Sequence, residues 1–356
     1  MLVRGNVDTC RVKAGMRSAV ILAPGELQMR EEPIPQAGPG EIVVKVEAAL
    51  TCGTDLKTFR RGHPKFPFPF KMGHEMSGIV HEVGEGVSHF KVGDAVMSLH
   101  SAPCLDCRFC AKGHFNLCVS IVDRMAFGSF ADYYKLTKEV VAQNTYMRPP
   151  HVSALRGAFM EPLACVVSGQ AHVPLNPNDT VVIQGCGTIG LLHLLLAKRR
   201  GCRQVVMVGR HQERLNLALK LGADVVVDID QENPLEKIKE LTGGDGAELV
   251  IECVGRPQAW EEALWMVAPG GFLLLFGGCP SNTQASFDTF RIHYDQITMK
   301  GVFHFTPADV RQAYEYLCGD QLPVEEILSG TYPLSQLPEI VGKLDQGIGI
   351  KYALIP

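Results

Sequence analysis

The sequence has no run of about 18 uninterrupted apolar residues, so no membrane-crossing helix is expected. It has no excess of positive charge. Its 34 Lys and Arg against 38 Asp and Glu give a formal net charge of −4, whereas a nucleic-acid binder normally carries a basic surplus. The first residues, MLVRGNVDTCRVKAG, contain no apolar core of signal-peptide length, and there is no internal repeat or low-complexity tract. Nor is the chain dense in disulfides, with 12 cysteines in 356 residues. The expected location is therefore the cytoplasm, where thiols stay reduced and bind metal or pack as small apolar groups. What is present is 46% hydrophobic and 20% charged residues, enough for a sizeable core, over a length that suits about two domains.

Residues 1–15 read as an extension, with Met16 a second possible start beside Met1. Residues 16–160 hold many short alternating segments broken by Gly and Pro, such as EIVVKVEAAL at 41–50; this pattern predicts a compact all-β body with excursions. From about 170 the rhythm changes. VVIQG (181–185), VVMVG (205–209), DVVVD, ELVIECVG and GFLLLFGG alternate with apolar helical segments at 191–200, 213–222 and 257–268. Strand and helix alternating at this spacing predict βαβ units and a doubly wound parallel sheet. A further helix is expected over 307–318. The fold class is α/β: a β-rich body over 16–168, a doubly wound strand–helix domain over 169–304, and a closing segment over 305–356 that, by the resemblance described below, completes the first domain as its catalytic part while the second binds the nucleotide.

Gly185-Cys186-Gly187-Thr188-Ile189-Gly190 is a G-x-G-x-x-G that follows a predicted strand and opens a predicted helix. In that setting the first Gly turns the chain, the second admits a pyrophosphate, and the third lets helix and strand pack. A ligand-free βα turn is the other reading. The next strand ends at Gly209 without the carboxylate that favours NAD, and Arg210 and Arg214 follow. Guanidiniums there suit a 2′-phosphate, so NADP(H) is expected over NAD(H), unless Arg210 is only a solvated loop charge. Cys253, Val254, Gly255, Phe276 and Gly277 end later strands and are expected to line the same crevice.

The thiols Cys104, Cys107, Cys110 and Cys118 lie within fifteen residues. Four thiolates match the closed tetrahedral site of a structural zinc; two disulfides or unliganded thiols are the alternatives. A zinc finger for nucleic acid is disfavoured, since the segment carries only Arg108 and Lys112. A second, dispersed set comprises Cys52, His74, Glu75 and Glu161. Each has a dull reading alone; Glu161 before Pro162, for example, can simply end a segment. Together they offer a thiolate, an imidazole and carboxylates, the ligands of an open catalytic zinc.

The segment Gly73-His74-Glu75-x2-Gly78-x5-Gly84-x2-Val87 resembles the signature of zinc-dependent medium-chain dehydrogenases, the alcohol dehydrogenase superfamily. The resemblance runs from Met16 to Pro356 and includes Cys52-Gly53-Thr54-Asp55, the four-cysteine lobe, Glu161-Pro162-Leu163 and the glycine loop, in family order. It is most similar to the polyol (sorbitol-type) and threonine dehydrogenase branches. It implies a GroES-like catalytic domain with a Rossmann domain, two zincs per chain, a small alcohol or polyol substrate, and a homodimer or homotetramer. Cys52, His74 and Glu161 would hold the catalytic zinc, with Glu75 behind them or alternating as a ligand. Thr54 would bond the substrate hydroxyl and start a proton relay. Lys57 stands where relatives often carry a His, which leaves the end of that relay open. Phe59, His63, Phe66, Phe290, His293 and Tyr294 would line the pocket. Lys57, Arg60 and Arg61 suit a sugar-alcohol phosphate or a solvated charge run. A non-enzymatic NADPH- and zinc-binding redox sensor and a zinc-free quinone reductase-like relative are the competing readings.

Overall fold

The computed structural model describes residues 15–63, 65–319 and 322–356. Residues 1–14 of the expected extension, Cys10 and the choice between Met1 and Met16 lie outside the described residues; Gly15 already belongs to the first strand, Gly15–Ala23.

Thr180–Gln184, a TVVIQ run buried at every position, is a central strand of a six-stranded, all-parallel sheet. Its flanks are Gln204–Gly209 and Val225–Asp228 on one side, and Ala247–Glu252, Val267–Leu275 and Thr298–Gly301 on the other. Continuous β-branched runs suit strands covered on both faces. Strand order reverses beside Thr180–Gln184, and in open sheets ligands bind at that crevice. Gly187 caps the helix Thr188–Arg199. The third glycine is obligatory: a Cβ on Gly190 would lie 1.8 Å from the Gly185 carbonyl oxygen. Gly185 itself has φ 113°, the left-handed region. The helix expected over 257–268 stops at Met266, because Val267 pairs with Ala247 and starts the next strand. The helix Pro307–Cys318 matches its expected span and is closed by a Thr306–Asp309 capping box.

The other half is built on a seven-stranded sheet. Ile42–Leu50 pairs with Glu75–Val83, Tyr133–Leu136 and the last strand, Lys351–Ile355. Register sets the site here: Leu50 faces Glu75 on one side and Ala353 on the other. Cys52, His74 and Lys351 therefore meet at one end of the sheet, although they are far apart in sequence.

The body of 16–160 is less purely β than its composition suggests. Gly53–Arg61 is a helix opened by a capping box in which the Cys52 thiol accepts from the Thr54 amide and Asp55 accepts from the Cys52 amide. Glu161-Pro162 does not end a segment. Both lie in the first turn of the helix Met160–Ala171, where Pro costs no hydrogen bond. That helix is buried on almost every side, which is why no 3.6-residue polarity marks it. Its Leu163, Val166 and Val167 join Leu50 and Met97 to Val181, Ile183 and Leu191 in one core shared by both sheets. Among the described residues no helix is long and apolar enough to cross a membrane.

The glycine loop separates fold from ligand. Gly190→Ala should destabilise the protein by roughly 1–3 kcal/mol or more, as overpacking against backbone does. Gly187→Ala meets nothing within 4 Å, so it should leave urea unfolding nearly unchanged while weakening cofactor binding. Equal unfolding midpoints for the two variants would contradict this.

Candidate active site

The ligand atoms of Cys52, His74 and Glu75 all lie within 4.8 Å of one another. Cys52 is an N-cap, and His74 and Glu75 enter the strand opposite it, so the residues that end two structural elements supply the three donors. His74 is 4% exposed and Glu75 fully buried. The Asp55 carboxylate stands 3.4 Å from His74 Nδ1, which orients the ring and leaves Nε2 for a metal. Although burial opposes it, Asp55 and then Cys52 hold the His74 imidazole well above its usual pKa. Glu75 Oε2 lies 2.5 Å from Lys351 Nζ, itself 1% exposed, and that ammonium also donates to the Thr51 carbonyl. Burial pushes the Glu75 carboxyl up to about 7 against the pull of Lys351. Oε1 of Glu75 is buried without a hydrogen-bond partner. A thiol, an imidazole and an under-used carboxylate this close together fit a divalent cation with an open position.

Glu161, expected as the third ligand, lies outside this set. Its Oε1 is 3.7 Å from both His100 Nδ1 and the Cys165 thiol, on a helix that packs across from the strand ends. Glu75 takes the place in the cluster that the resemblance gave to Glu161. Thr54 and Lys57 lie on exposed positions of the helix Gly53–Arg61, three residues apart and so on one face. Burial pushes the Glu252 carboxyl and the Cys279 thiol up, and the nearby charge of Lys57 opposes this at both. Arg60 is spent on Asp345, its Nη2 donating to that residue's carbonyl.

His100 and His304 were not singled out from sequence. The His100 ring packs 5.1 Å from His74 and 5.4 Å from His304. Phe127 closes one side against His74 and His100, and Phe66 stacks behind it. Phe290 and Tyr294 instead stack on each other at 68% and 65% exposure, on a short surface helix.

At the carboxyl ends of the parallel strands a crevice of about 1110 Å³ is lined by Gly185, Gly187, Gly209, Arg210, Cys253 and Val254, among others. Thr188 and Ile189 begin the helix behind it. The open space in front of Gly187 fits a pyrophosphate at a helix N-terminus. Glu252 shapes the far wall by accepting from the Val254 and Gly255 amides. Phe276 does not face this crevice; its ring packs on His193 and over Gly169, and the Gly277 carbonyl takes the Trp260 indole. Arg214 lines the crevice, but its guanidinium donates to the Gly347 and Gly349 carbonyls. Arg210 faces only Asp230, at 3.9 Å. His211 and Arg256 also line this crevice and were missed; neither belongs to the glycine motif.

Cys104, Cys107, Cys110 and Cys118 bring their sulfurs within 4.8 Å of one another, and all eleven described cysteines are free thiols. The Cys104 amide donates to Cys118 Sγ at 3.3 Å. Backbone N–H groups of Cys110 and Val119 draw the Cys107 thiol down to about 6, whereas burial pushes Cys110 up to about 12. Four sulfurs on one small lobe, served by amide donors, fit a closed zinc site and no disulfide.

Residues 38–145 match the family of the alcohol dehydrogenase GroES-like domain, and residues 188–317 match the zinc-binding dehydrogenase family. The chain belongs to the zinc-dependent medium-chain dehydrogenases. It is an enzyme of the zinc-containing, NAD(P)-dependent alcohol and polyol dehydrogenase class, and acts on a small molecule. Its relatives include L-threonine 3-dehydrogenase of Bacillus subtilis (strain 168), 31% identical over 92% of this chain and 94% of that protein. Human sorbitol dehydrogenase is 30% identical over 95% of both chains. A Sinorhizobium meliloti 1021 structure with NADP bound superposes with a TM-score of 0.89 at 28% identity, over 96% of this chain and 100% of that one.

Three variants test this geometry. In metal-free protein, Lys351→Met leaves a buried carboxylate uncompensated and should cost about 3–5 kcal/mol in urea unfolding. Lys351→Met with Glu75→Gln should recover most of that, and no recovery would contradict the pairing. Cys107→Ser should lose one zinc equivalent and more than ~2 kcal/mol of stability, while the surviving folded enzyme keeps its kcat/KM. Unchanged stability with one zinc fewer would contradict a structural role.

Proposed function

We propose that the enzyme transfers hydride between NADP(H) and a secondary alcohol or its ketone, with a polyol or sugar alcohol as substrate. The observation that carries this reading is the convergence of half-buried Cys52 with buried His74 and Glu75. Zinc bound there would polarise the substrate oxygen and lower the hydroxyl pKa by several units. Thr54, exposed at the start of its helix, accepts a hydrogen bond from the substrate hydroxyl and relays the proton by giving up its own. Lys57, one turn along and facing the crevice, lies where that proton leaves toward the cofactor ribose or water. Glu161 sits beside the donor set, where it accepts from the Cys165 thiol and faces His100 Nδ1 at 3.7 Å. The shared core under both sheets keeps these groups aligned with the nicotinamide site, and alignment rather than new chemistry is what a fold adds to a hydride transfer.

The preference for NADP(H) rests on Arg210, on the missing carboxylate at Gly209 and on the lining by Arg256; NAD(H) remains usable. Arg214 contributes through the shape of the crevice, its Nη2 being engaged by the Gly347 and Gly349 carbonyls. A second zinc in the four-cysteine lobe is supported by the sulfur cluster. The catalytic domain is read as 16–168 with 305–356, and the nucleotide domain as 169–304, in keeping with the sheet boundaries. The free thiols of the eleven described cysteines support a reducing, cytoplasmic setting. The open edge strand Thr298–Gly301 suits a homodimer or homotetramer. A threonine 3-dehydrogenase-like activity is a second reading, favoured by the similarity to that relative; the sugar-alcohol phosphate reading is weakened by the engagement of Arg60.

His74→Ala should abolish turnover and leave NADPH binding, read by fluorescence titration, within about twofold. Wild-type rates in that variant would refute the reading. Arg210→Ser should lower kcat/KM with NADP by roughly tenfold or more, the scale of one charge-assisted contact, and change the NAD value little. A clear preference of the unmodified enzyme for NAD would contradict the cofactor assignment.

A further inference from the structure

A cavity of about 320 Å³ lies away from the cofactor crevice, where the helices Met160–Ala171, Thr188–Arg199 and Pro307–Cys318 meet. Its size falls at the lower end of the range that small-molecule sites occupy, roughly 300–1,000 Å³. Val167, Val173 and Leu196 supply apolar wall; Gln170, Arg200 and Tyr316 supply polar groups. Gln170 stands well beyond Glu161 on the same helix, about 13 Å along its axis, so the cavity is separate from the metal-binding set.

Gln170 is 3% exposed. Its Nε2 donates to the His193 carbonyl at 3.0 Å and lies 3.3 Å from His193 Nδ1. Burial keeps that imidazole neutral, its pKa pushed down to about 3, so Nδ1 can accept. Two acceptors on one side fix the carboxamide, with its nitrogen toward His193 and its oxygen turned away. That Oε1 is buried with no hydrogen-bond partner among the described residues. An unpaired buried acceptor costs free energy and calls for a donor.

A cation stands beside it. In the run Lys198-Arg199-Arg200-Gly201-Cys202-Arg203, Lys198 pairs with Asp224 and Arg203 donates to Thr180 Oγ1. Arg200 instead lines the cavity, where its Nη1 donates to the Gln170 carbonyl at 3.0 Å. A guanidinium carries five N–H donors, and this one bond fixes the fork next to Gln170 Oε1 without using it up. Tyr316 forms the opposite kind of surface, a flat ring. Gln312 Nε2 donates to its hydroxyl at 2.9 Å, and the Arg199 guanidinium lies 4.9 Å from its centroid, so the ring is held in place and the rim is positive.

We propose that this cavity binds a small aromatic carboxylate that also bears a hydroxyl, at a site distinct from the cofactor crevice and the alcohol site. The carboxylate pairs with Arg200, the hydroxyl donates to Gln170 Oε1, and the ring lies among Val167, Val173, Leu196 and Tyr316.

The test titrates 3-hydroxybenzoate and benzoate into the zinc-loaded enzyme by calorimetry, with NADPH saturating so that the crevice is filled. One 3-hydroxybenzoate should bind per chain with a Kd of about 1 mM or tighter, within reach of a ligand of this size. Arg200→Met should weaken it roughly tenfold or more, the loss of one charge-assisted pair. Benzoate should bind the unmodified enzyme roughly three- to tenfold more weakly, and in Gln170→Leu the two probes should bind alike. 3-Hydroxybenzoate should not compete with pentan-2-ol for turnover. Arg200 is exposed, so its variant keeps the test decisive even where Gln170→Leu does not fold. No binding up to about 10 mM, binding indifferent to Arg200→Met, competition with the alcohol, or a hydroxyl preference that survives Gln170→Leu would each overturn the site.

Discussion

A half-buried thiol, a buried imidazole and a buried carboxylate lie within 4.8 Å of one another, and an apolar interior does not tolerate that carboxylate without positive charge. Two features answer that demand. Lys351 is permanent, lying 2.5 Å from Glu75 with both side chains essentially inaccessible. The other is the divalent cation that the donor set fits. Desolvation of the carboxylate is thereby offset by the lysine, which holds Glu75 in a defined position, and a cation held by the donor set would offset it further. Much of the surrounding architecture follows from keeping this arrangement aligned. The last strand adds to the sheet beside Ile42–Leu50 and thereby delivers Lys351, while the Gly53–Arg61 helix begins where Cys52 must point.

The two halves of the molecule are not independent bodies joined at a cleft. The buried helix Met160–Ala171 contributes to a core that reaches from Leu50 to Leu191, and it carries Glu161 to the edge of the metal-binding set. The four-cysteine lobe reaches the nucleotide-binding half through Asn116 and Phe303. Metal held by those four sulfurs would stabilise the lobe and, through the Asn116 contact, the segment that carries His304.

Local signals in the sequence were strong wherever one element carried the whole message. The glycine loop, the four closely spaced cysteines, the helix Pro307–Cys318 and the alternating strands after 170 all lie where they were expected. Signals failed where tertiary context decides. The helix holding Glu161 is apolar on nearly all faces, so it shows no amphipathic period. Lys351 lies 276 positions beyond Glu75, and only strand register pairs them. Arg214 fits a phosphate-binding pattern along the chain, but the carbonyls of Gly347 and Gly349 reach it first. Glu75 and Glu161 offer the same chemistry in sequence, and only the fold separates the carboxylate beside Cys52 and His74 from the one facing His100. His100 and His304 lie outside every recognisable motif; the unpaired Nδ1 of the first and the left-handed φ of the second are properties of coordinates alone.

The most direct test of the account is zinc-edge X-ray absorption on the zinc-loaded protein, with metal content measured on the same sample. Two zincs per chain, one held by four sulfurs and one by a single sulfur with nitrogen and oxygen, should average about 2.5 sulfurs per zinc near 2.3 Å, with the remaining ligands near 2.0–2.1 Å. One zinc per chain with about four sulfur ligands would mean that Cys52, His74 and Glu75 hold no metal, and would contradict the account.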